Sequence, residues 1–401
     1  MSAGPPPGRA LRGPAGCFLA SAFLGAVATG IFFGSLNNYL ADVFDLSPGA
    51  RGVVETVREV PGMLLFLVLA PLARLGEGRI LFAALLVVAL GIYGAADRAP
   101  DVVRVTLWLF VWSLGAHVVM ALRESFCVAF SGPGGRGRLF GVVRGIRSVG
   151  MILGAAAVWV GMDVFHVGYR ELYRGAALLT LAAAAAAWYV GDPGHTGVKR
   201  KAFVFRREYG LFYLLAVLFG VRKQIFLVFG PWVLIRVFGQ DAAAMARLFI
   251  VSSVAGIFLK PWLCGLIDRF GERRVLTGDA VVLFLVCLTY AGAERLLPPA
   301  AALAAVFACY VLDDALFALR AAHVTYLARI VASADELTAS ISTSYSLEHV
   351  VSLVAPVLAG MIWTWAGYPW VFGAAAGTAV LMGLAARRIP EAGPVDSRPR
   401  G

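Results

Sequence analysis

Charge is the scarcest property of this chain. Only 15% of its 401 residues are Asp, Glu, Lys or Arg, while 60% are hydrophobic; an ordinary soluble domain has about 25% and 45–50%. A soluble fold of this size has no interior large enough to hide that apolar surface. Cys-x-x-Cys spacing is also missing. The five cysteines, Cys17, Cys127, Cys264, Cys287 and Cys309, fall in or beside apolar runs, which excludes the usual redox and zinc patterns and reads as packing. No Gly-x-x-x-x-Gly-Lys-Ser/Thr loop is present to bind ATP, and no His-Glu-x-x-His, His-x-x-x-His or Gly-x-Ser-x-Gly supplies a metal or nucleophile motif. No cofactor is therefore expected. The sequence reads as neither an ATPase nor a metal enzyme, although His117, His323 and His349 keep a metal substrate as a minor alternative.

Long uncharged runs are what the chain has in their place. Gly13 to Ala41 carries no charge, and neither does Val350 to Ala386, each beyond the roughly 18 apolar residues that nominate a spanning helix. The second run is long enough for two spans. Ala366-Gly367-Tyr368-Pro369 is the expected break, with Trp363, Trp365 and Trp370 at a membrane interface. Apolar windows give twelve expected spans, near 17–40, 52–72, 80–96, 102–122, 142–162, 172–190, 209–235, 245–264, 275–292, 300–319, 342–361 and 368–385. The N-terminal stretch Met1 to Gly16 does not read as a cleavable signal, because the apolar run behind it is long enough to span.

With both termini placed in the cytoplasm, one side collects Arg9, Arg12, Arg74, Arg79, Lys199, Arg200, Lys201, Arg269, Arg273, Arg274 and Arg329, and the opposite loops hold few basic residues. The positive-inside rule selects this orientation, and it accounts for the formal charge of +11 without a nucleic-acid partner. The expected partners are the lipid bilayer and a small-molecule substrate, with the chain acting as a monomer.

Gly191 to Glu208 is polar, basic and contains Asp192-Pro193-Gly194, a linker signature. It divides the chain into a six-helix half at 1–190, the linker 191–208 and a second half at 209–401. Val43-Phe44 recurs as Val237-Phe238, Gly76-Glu77-Gly78-Arg79 as Gly271-Glu272-Arg273-Arg274, and Ala121-Leu122-Arg123 as Ala318-Leu319-Arg320, at offsets of 194, 195 and 197 residues. Three matches in order at nearly constant offset point to a duplicated unit, as in many secondary transporters.

The segment Gly265-Leu266-Ile267-Asp268-Arg269-Phe270-Gly271-Glu272-Arg273-Arg274 resembles the cytoplasmic loop motif of the major facilitator superfamily. The resemblance implies an all-α membrane fold of twelve helices in two halves, secondary transport of a small solute, and a gating latch built from Asp268, Arg269, Gly271 and Arg274. The alternative for that segment is a charged loop obeying the positive-inside rule. Two positions depart from the motif: Cys264 replaces its leading Gly, and the first-half copy has Ala73 where the Asp should stand, which leaves the first-half latch open. The superfamily carries solutes of many kinds, so the resemblance names none.

Ionisable groups within spans cost about 2.5–3.5 kcal/mol each on insertion scales and so should face a cavity or one another. Glu55, Arg58 and Glu59 share one helical face at i, i+3 and i+4. They read as a proton-coupling group or as a self-neutralising cluster. Arg222 and Lys223 lie near the middle of the seventh span, where they meet either an anionic substrate group or partner carboxylates. Asp313 and Asp314, with Arg320 two turns beyond Asp313, form another candidate coupling cluster. Tyr345, Glu348, His349 and Ser352 make a polar stripe, Tyr345 toward substrate and Glu348 with His349 as a proton relay; the stripe reads equally as interhelical hydrogen bonding. His117 and Glu124 are candidate substrate contacts in the fourth span, while Arg123 and Arg320 mark its cytoplasmic end and that of its counterpart. Asn38 either contacts solute or closes the first helix.

The expected function is proton-coupled secondary transport of a small anionic or zwitterionic solute. A membrane-embedded lipid-modifying enzyme and a non-transporting sensor on the same fold are the alternatives. High Ala, Gly and Arg content points to a GC-rich bacterial genome and hence to an inner, multi-pass location.

Overall fold

A span in hydrocarbon has no water to bond its backbone, so helix is the only open structure it can adopt. The computed structural model describes residues 13–72, 75–131, 136–192 and 205–391, and every regular element among them is a helix. Most of the 191–208 linker, including Lys199, Arg200 and Lys201, lies outside the described residues, as do Arg9, Arg12 and the Ala73 and Arg74 of the first-half loop.

α1 (Pro14–Asp42) opens on a proline, whose missing N–H has no helical partner at that position in any case. α2 (Pro48–Met63) and α3 (Leu65–Leu72) make one span, interrupted just after Pro61, a residue that removes a backbone donor and crowds the preceding turn. α4 (Glu77–Asp97), α5 (Val102–Phe130), α6 (Arg136–Asp163) and α7 (Tyr169–Trp188) follow. The Asp101 carboxylate caps α5 by accepting from the Arg104 backbone N–H at 2.8 Å.

A 3-10 turn at Arg207–Tyr209 leads into α8 (Gly210–Gln224), a π-helical turn at Ile225–Phe229 and α9 (Gly230–Arg236), together one span. α10 (Ala242–Leu296) holds 55 residues, too many for one crossing of about 20. It folds at Gly271, where φ 78° and ψ 160° lie in a region essentially closed to residues with a Cβ. A loop was expected between Cys264 and Val275; helix continues to Phe270, and the turn is made at this one glycine. α11 (Pro299–Leu316), a 3-10 turn at Phe317–Arg320 and α12 (Ala321–Ile330) form the next span, followed by α13 (Ala334–Ala366) and α14 (Tyr368–Ala386). Gly367, at φ 94°, separates the last two, at the expected break.

Nine described helical runs are long and apolar enough to cross a membrane, one of them the folded α10. Counting α10 as two and adding α2–α3, with its four charges, and α7, which opens on Arg170, Glu171 and Arg174, gives twelve spans. This is an all-α, multi-pass membrane protein.

Contacts group the described residues into two units. Unit 1 draws on Met1–Leu46, Val54–Val198 and Gly239–Ser253, and unit 2 on Ser47–Val53, Lys199–Phe238 and Val254–Gly401. In unit 1, α1 packs on α6 and α7, and α4 on α5 and α7. α1 and α6 meet at Gly30 and Gly154, where a Cβ on Gly154 would strike the Val27 carbonyl oxygen and stand 2.8 Å from the Gly30 Cα. Its core centres on Phe18, Leu81, Leu85 and Phe126. In unit 2, α8 packs on α13 and α14; Tyr290 stacks on Phe372 at 4.5 Å, with Phe226 edge-on to both.

Candidate functional site

Unit 1 holds a buried ionic cluster on a single helix. Glu55, Arg58 and Glu59 of α2 are all buried, as their shared face requires. The Arg58 guanidinium donates to both carboxylates, with Nε 3.1 Å from Glu55 Oε2. Its cationic plane also lies 5.6 Å from the Phe33 ring centroid and 5.9 Å from that of Trp112, where the ring quadrupoles attract it. Ser113 of α5 donates to the Arg58 carbonyl at 2.5 Å, and its hydroxyl lies 3.1 Å from His117 Nδ1.

Arg58, Ser113 and His117 border a cavity of about 330 Å³, walled mainly by apolar side chains of α1, α4 and α5, among them Phe18, Phe33, Leu81, Leu85, Ile92 and Trp112. Arg123 and Arg147 also line it, and both reappear in an adjoining cavity of about 210 Å³ with Glu124 and Arg144. His117 and Glu124 were expected on one face of one site; they border neighbouring cavities instead. Arg123 was read as the end of its helix, yet α5 continues to Phe130. Arg144 and Arg147 escaped the sequence reading altogether. Their spacing of three residues inside an apolar window was the available signal.

Unit 2 assembles its charges from three helical spans. Arg222 of α8 is 1% exposed. Its Nη1 donates to Asp279 at 3.0 Å and its Nη2 to Asp313 at 2.9 Å, and Phe317 lies 5.5 Å from its Cζ. Of the two readings of Arg222, this geometry is the pairing with carboxylates. Asp279 was not expected: it sits in an apolar window, and its partner is 57 residues away. Lys223, next along α8, is half-buried.

The π-helical turn begins directly after Gln224. Such insertions widen the backbone hydrogen-bond pattern and recur at functional sites. Gln224 Nε2 donates to Ser352 Oγ at 2.5 Å, while Gln224 Oε1 and the Tyr290 hydroxyl are buried without a hydrogen-bond partner among the described residues.

Arg320 was expected beside Asp313. It pairs with Glu348 at 2.6 Å instead and lies over the Tyr345 ring at 4.5 Å. The 3-10 turn at Phe317–Arg320 is the reason: its tighter winding removes Arg320 from the face that a regular α-helix would share with Asp313. Asp314 turns the other way and meets Lys260 at 3.0 Å. In the α13 stripe, Ser352 Oγ also bonds the Glu348 carbonyl at 2.9 Å, and His349 is half-buried. Asn38, buried at the end of α1, donates to the Gln240 carbonyl at 2.9 Å.

Around Gly271, Asp268, Arg269 and Arg274 are exposed, with Arg269 over the Phe270 ring. The ion pairs of this segment run from its neighbours, Glu272 to Arg329 at 3.5 Å and Arg273 to Glu391 at 3.2 Å. Among the described residues no three His, Cys, Asp or Glu side chains gather as a metal site.

Twelve helical spans with charge clusters sequestered inside them define a polytopic membrane protein whose interior, not its surface, carries the ionic chemistry. The chain belongs to the Major Facilitator Superfamily, whose family profile matches residues 18–311 and 212–401. No curated protein matches it by sequence. Among solved structures it is similar to the nucleoside transporter NupG, at 13% identity and TM-score 0.73 over 93% of this chain and 98% of that one. It is also similar to a bacterial homologue of the human lysosomal transporter Spinster, at 15% identity and TM-score 0.71 over 96% and 98%. A D-xylose–proton symporter matches at 15% identity and TM-score 0.69 over 93% and 97%. At these identities the likeness is one of fold.

Proposed function

We propose that this protein is a secondary active transporter that couples movement of a small organic solute, anionic or zwitterionic, to movement of protons. The observation that carries the coupling is the composition of the unit 2 cluster: two carboxylates, Asp279 and Asp313, share one guanidinium, Arg222. With both carboxylates ionised the group holds one excess negative charge in a dry interior, an expensive state. With one proton bound it becomes a neutral, hydrogen-bonded set. A cluster that is neutral only when protonated gives alternating access a proton to carry. The proton-symporter neighbour is consistent with this reading.

In the same reading Glu55, Arg58 and Glu59 act with Asp313, and Glu348 and His349 pass protons along α13. Lys223, Asn38 and Tyr345 contact solute, and the segment around Asp268, Arg269, Gly271 and Arg274 gates the cytoplasmic side. The protein works as a monomer in an inner membrane with both termini in the cytoplasm.

The test is reconstitution into liposomes with an internal pH dye and pooled solutes. Wild type is expected to move protons with solute; Asp279→Asn and Asp313→Asn keep a neutral pair and should move solute without protons. Unaltered proton movement in both variants would remove the cluster from coupling. A folded protein that moves nothing across a broad pool would return the sensor reading.

A further inference from the structure

Three arginines remain outside every role assigned above. Arg123 of α5 and Arg147 of α6 are half-buried and lie on the boundary between two cavities, and Arg144, one turn before Arg147, joins them in the smaller one. Among the described residues Glu124 is the one carboxylate lining either cavity. Arg58 also borders the larger cavity, but with Glu55 and Glu59 it forms a set of net charge −1 when both are ionised, so the four guanidinium groups around the two cavities exceed their carboxylates by one positive charge. Glu124 is the carboxylate whose charge acts on both Arg123 and Arg147.

These are not loop charges. Arg123 precedes the end of α5 by seven residues and Arg147 follows the start of α6 by eleven, about 10 and 16 Å along helices rising 1.5 Å per residue. A membrane chain rarely keeps cations in excess of their carboxylates within its helices without an anion to receive. Immediately beyond them the larger cavity turns apolar and aromatic, with Phe18, Phe33, Leu85 and Trp112 in its wall. Its volume of about 330 Å³ stands at the small end of the roughly 300–1,000 Å³ of small-molecule sites. It admits a one- or two-ring acid or a short-chain acid, and not a two-chain lipid.

We propose that the paired cavities of unit 1 bind an amphipathic organic anion, its acidic group held by Arg123, Arg144 and Arg147 and its apolar body seated against Phe18, Phe33, Leu85 and Trp112. The inference deepens the transporter reading, on which it rests for its physiological sense, by naming the class of solute. Guanidinium forks hold a carboxylate by two parallel hydrogen bonds, and the aromatic wall rewards a flat body.

The experiment is calorimetric titration of the full-length protein in phosphatidylcholine nanodiscs with 1-naphthoate, its neutral amide 1-naphthamide, and inorganic phosphate. Naphthoate should bind at least about tenfold more tightly than either of the others, and Arg123→Gln and Arg147→Gln should each weaken it by about tenfold or more. Arg104→Gln, at an exposed pair with Asp101, should leave affinity within about twofold. Where a glutamine variant loses its cooperative melt, Ala22→Leu, which fills the cavity wall and keeps every charge, should abolish naphthoate binding.

Equal affinity for the amide, or full affinity in the folded arginine variants and in Ala22→Leu, would overturn the proposal. So would loss of naphthoate binding once phosphatidylglycerol is added, since the arginines would then hold a lipid headgroup. Naphthoate binding without flux in liposomes would fail the transporter reading and leave the site standing. Proton-coupled flux of other solutes with no naphthoate binding would do the reverse.

Discussion

The two ionic clusters use the same chemistry and opposite construction. In unit 1 the guanidinium and both carboxylates come from a single helix, α2, and stand at the edge of a cavity. In unit 2 the guanidinium and its two carboxylates come from residues 222, 279 and 313 on three spans, packed under aromatic rings. A cluster made within one helix brings its charges together whenever that helix forms. A cluster made between spans is an interhelical bolt, and its state bears on how those spans pack.

Removing the cation should break the comparison most visibly. Arg222→Met leaves two carboxylates buried together, and its unfolding free energy in mixed micelles should fall by about 3–5 kcal/mol. Arg58→Met should cost less, about 1–3 kcal/mol, because the adjoining cavity gives the stranded carboxylates a route to solvation. Equal losses would mean that the cavity is dry and that construction does not matter.

The bend at Gly271 tests the covalent frame that carries Asp279 to Arg222. Gly271→Ala forces a Cβ into a backbone region reserved for glycine, at about 1–3 kcal/mol; a melt unchanged from wild type would show that the turn relaxes freely. The smallest effect belongs to the half-exposed Lys260–Asp314 pair. Asp314→Asn should shift stability by no more than about 1 kcal/mol, setting the baseline for an ion pair outside a buried cluster.

The same contrast separates what was legible in the sequence from what was not. The spans announce themselves through long uncharged runs, and the Ala366–Pro369 break follows from turn chemistry. Glu55, Arg58 and Glu59 are readable because helical periodicity alone puts them on one face. The partnership of Arg222 with Asp279 spans 57 residues and has no local signature; Asp279 passes for a lone charge in an apolar window. Arg320 misleads for a different reason. Counting two turns from Asp313 assumes an α-helix, and the 3-10 turn before Arg320 changes the arithmetic. The rule that counts basic residues as markers of boundaries and loops placed Arg123 at a helix end and passed over Arg144 and Arg147, although all three lie within helices.

The crossing of α1 and α6 at Gly30 and Gly154 is built like a plain bearing. Where side chains interlock, rotation of one helix against another must first lift knobs out of holes. Two backbones in direct contact hold through many weak, non-directional attractions and offer no teeth to disengage. The α6 arginines ride on one side of that joint, and Phe18 and Phe33 of α1 on the other. A few degrees of roll between the two helices would therefore change the distance between the charged and the aromatic walls of the cavity without unpacking either helix.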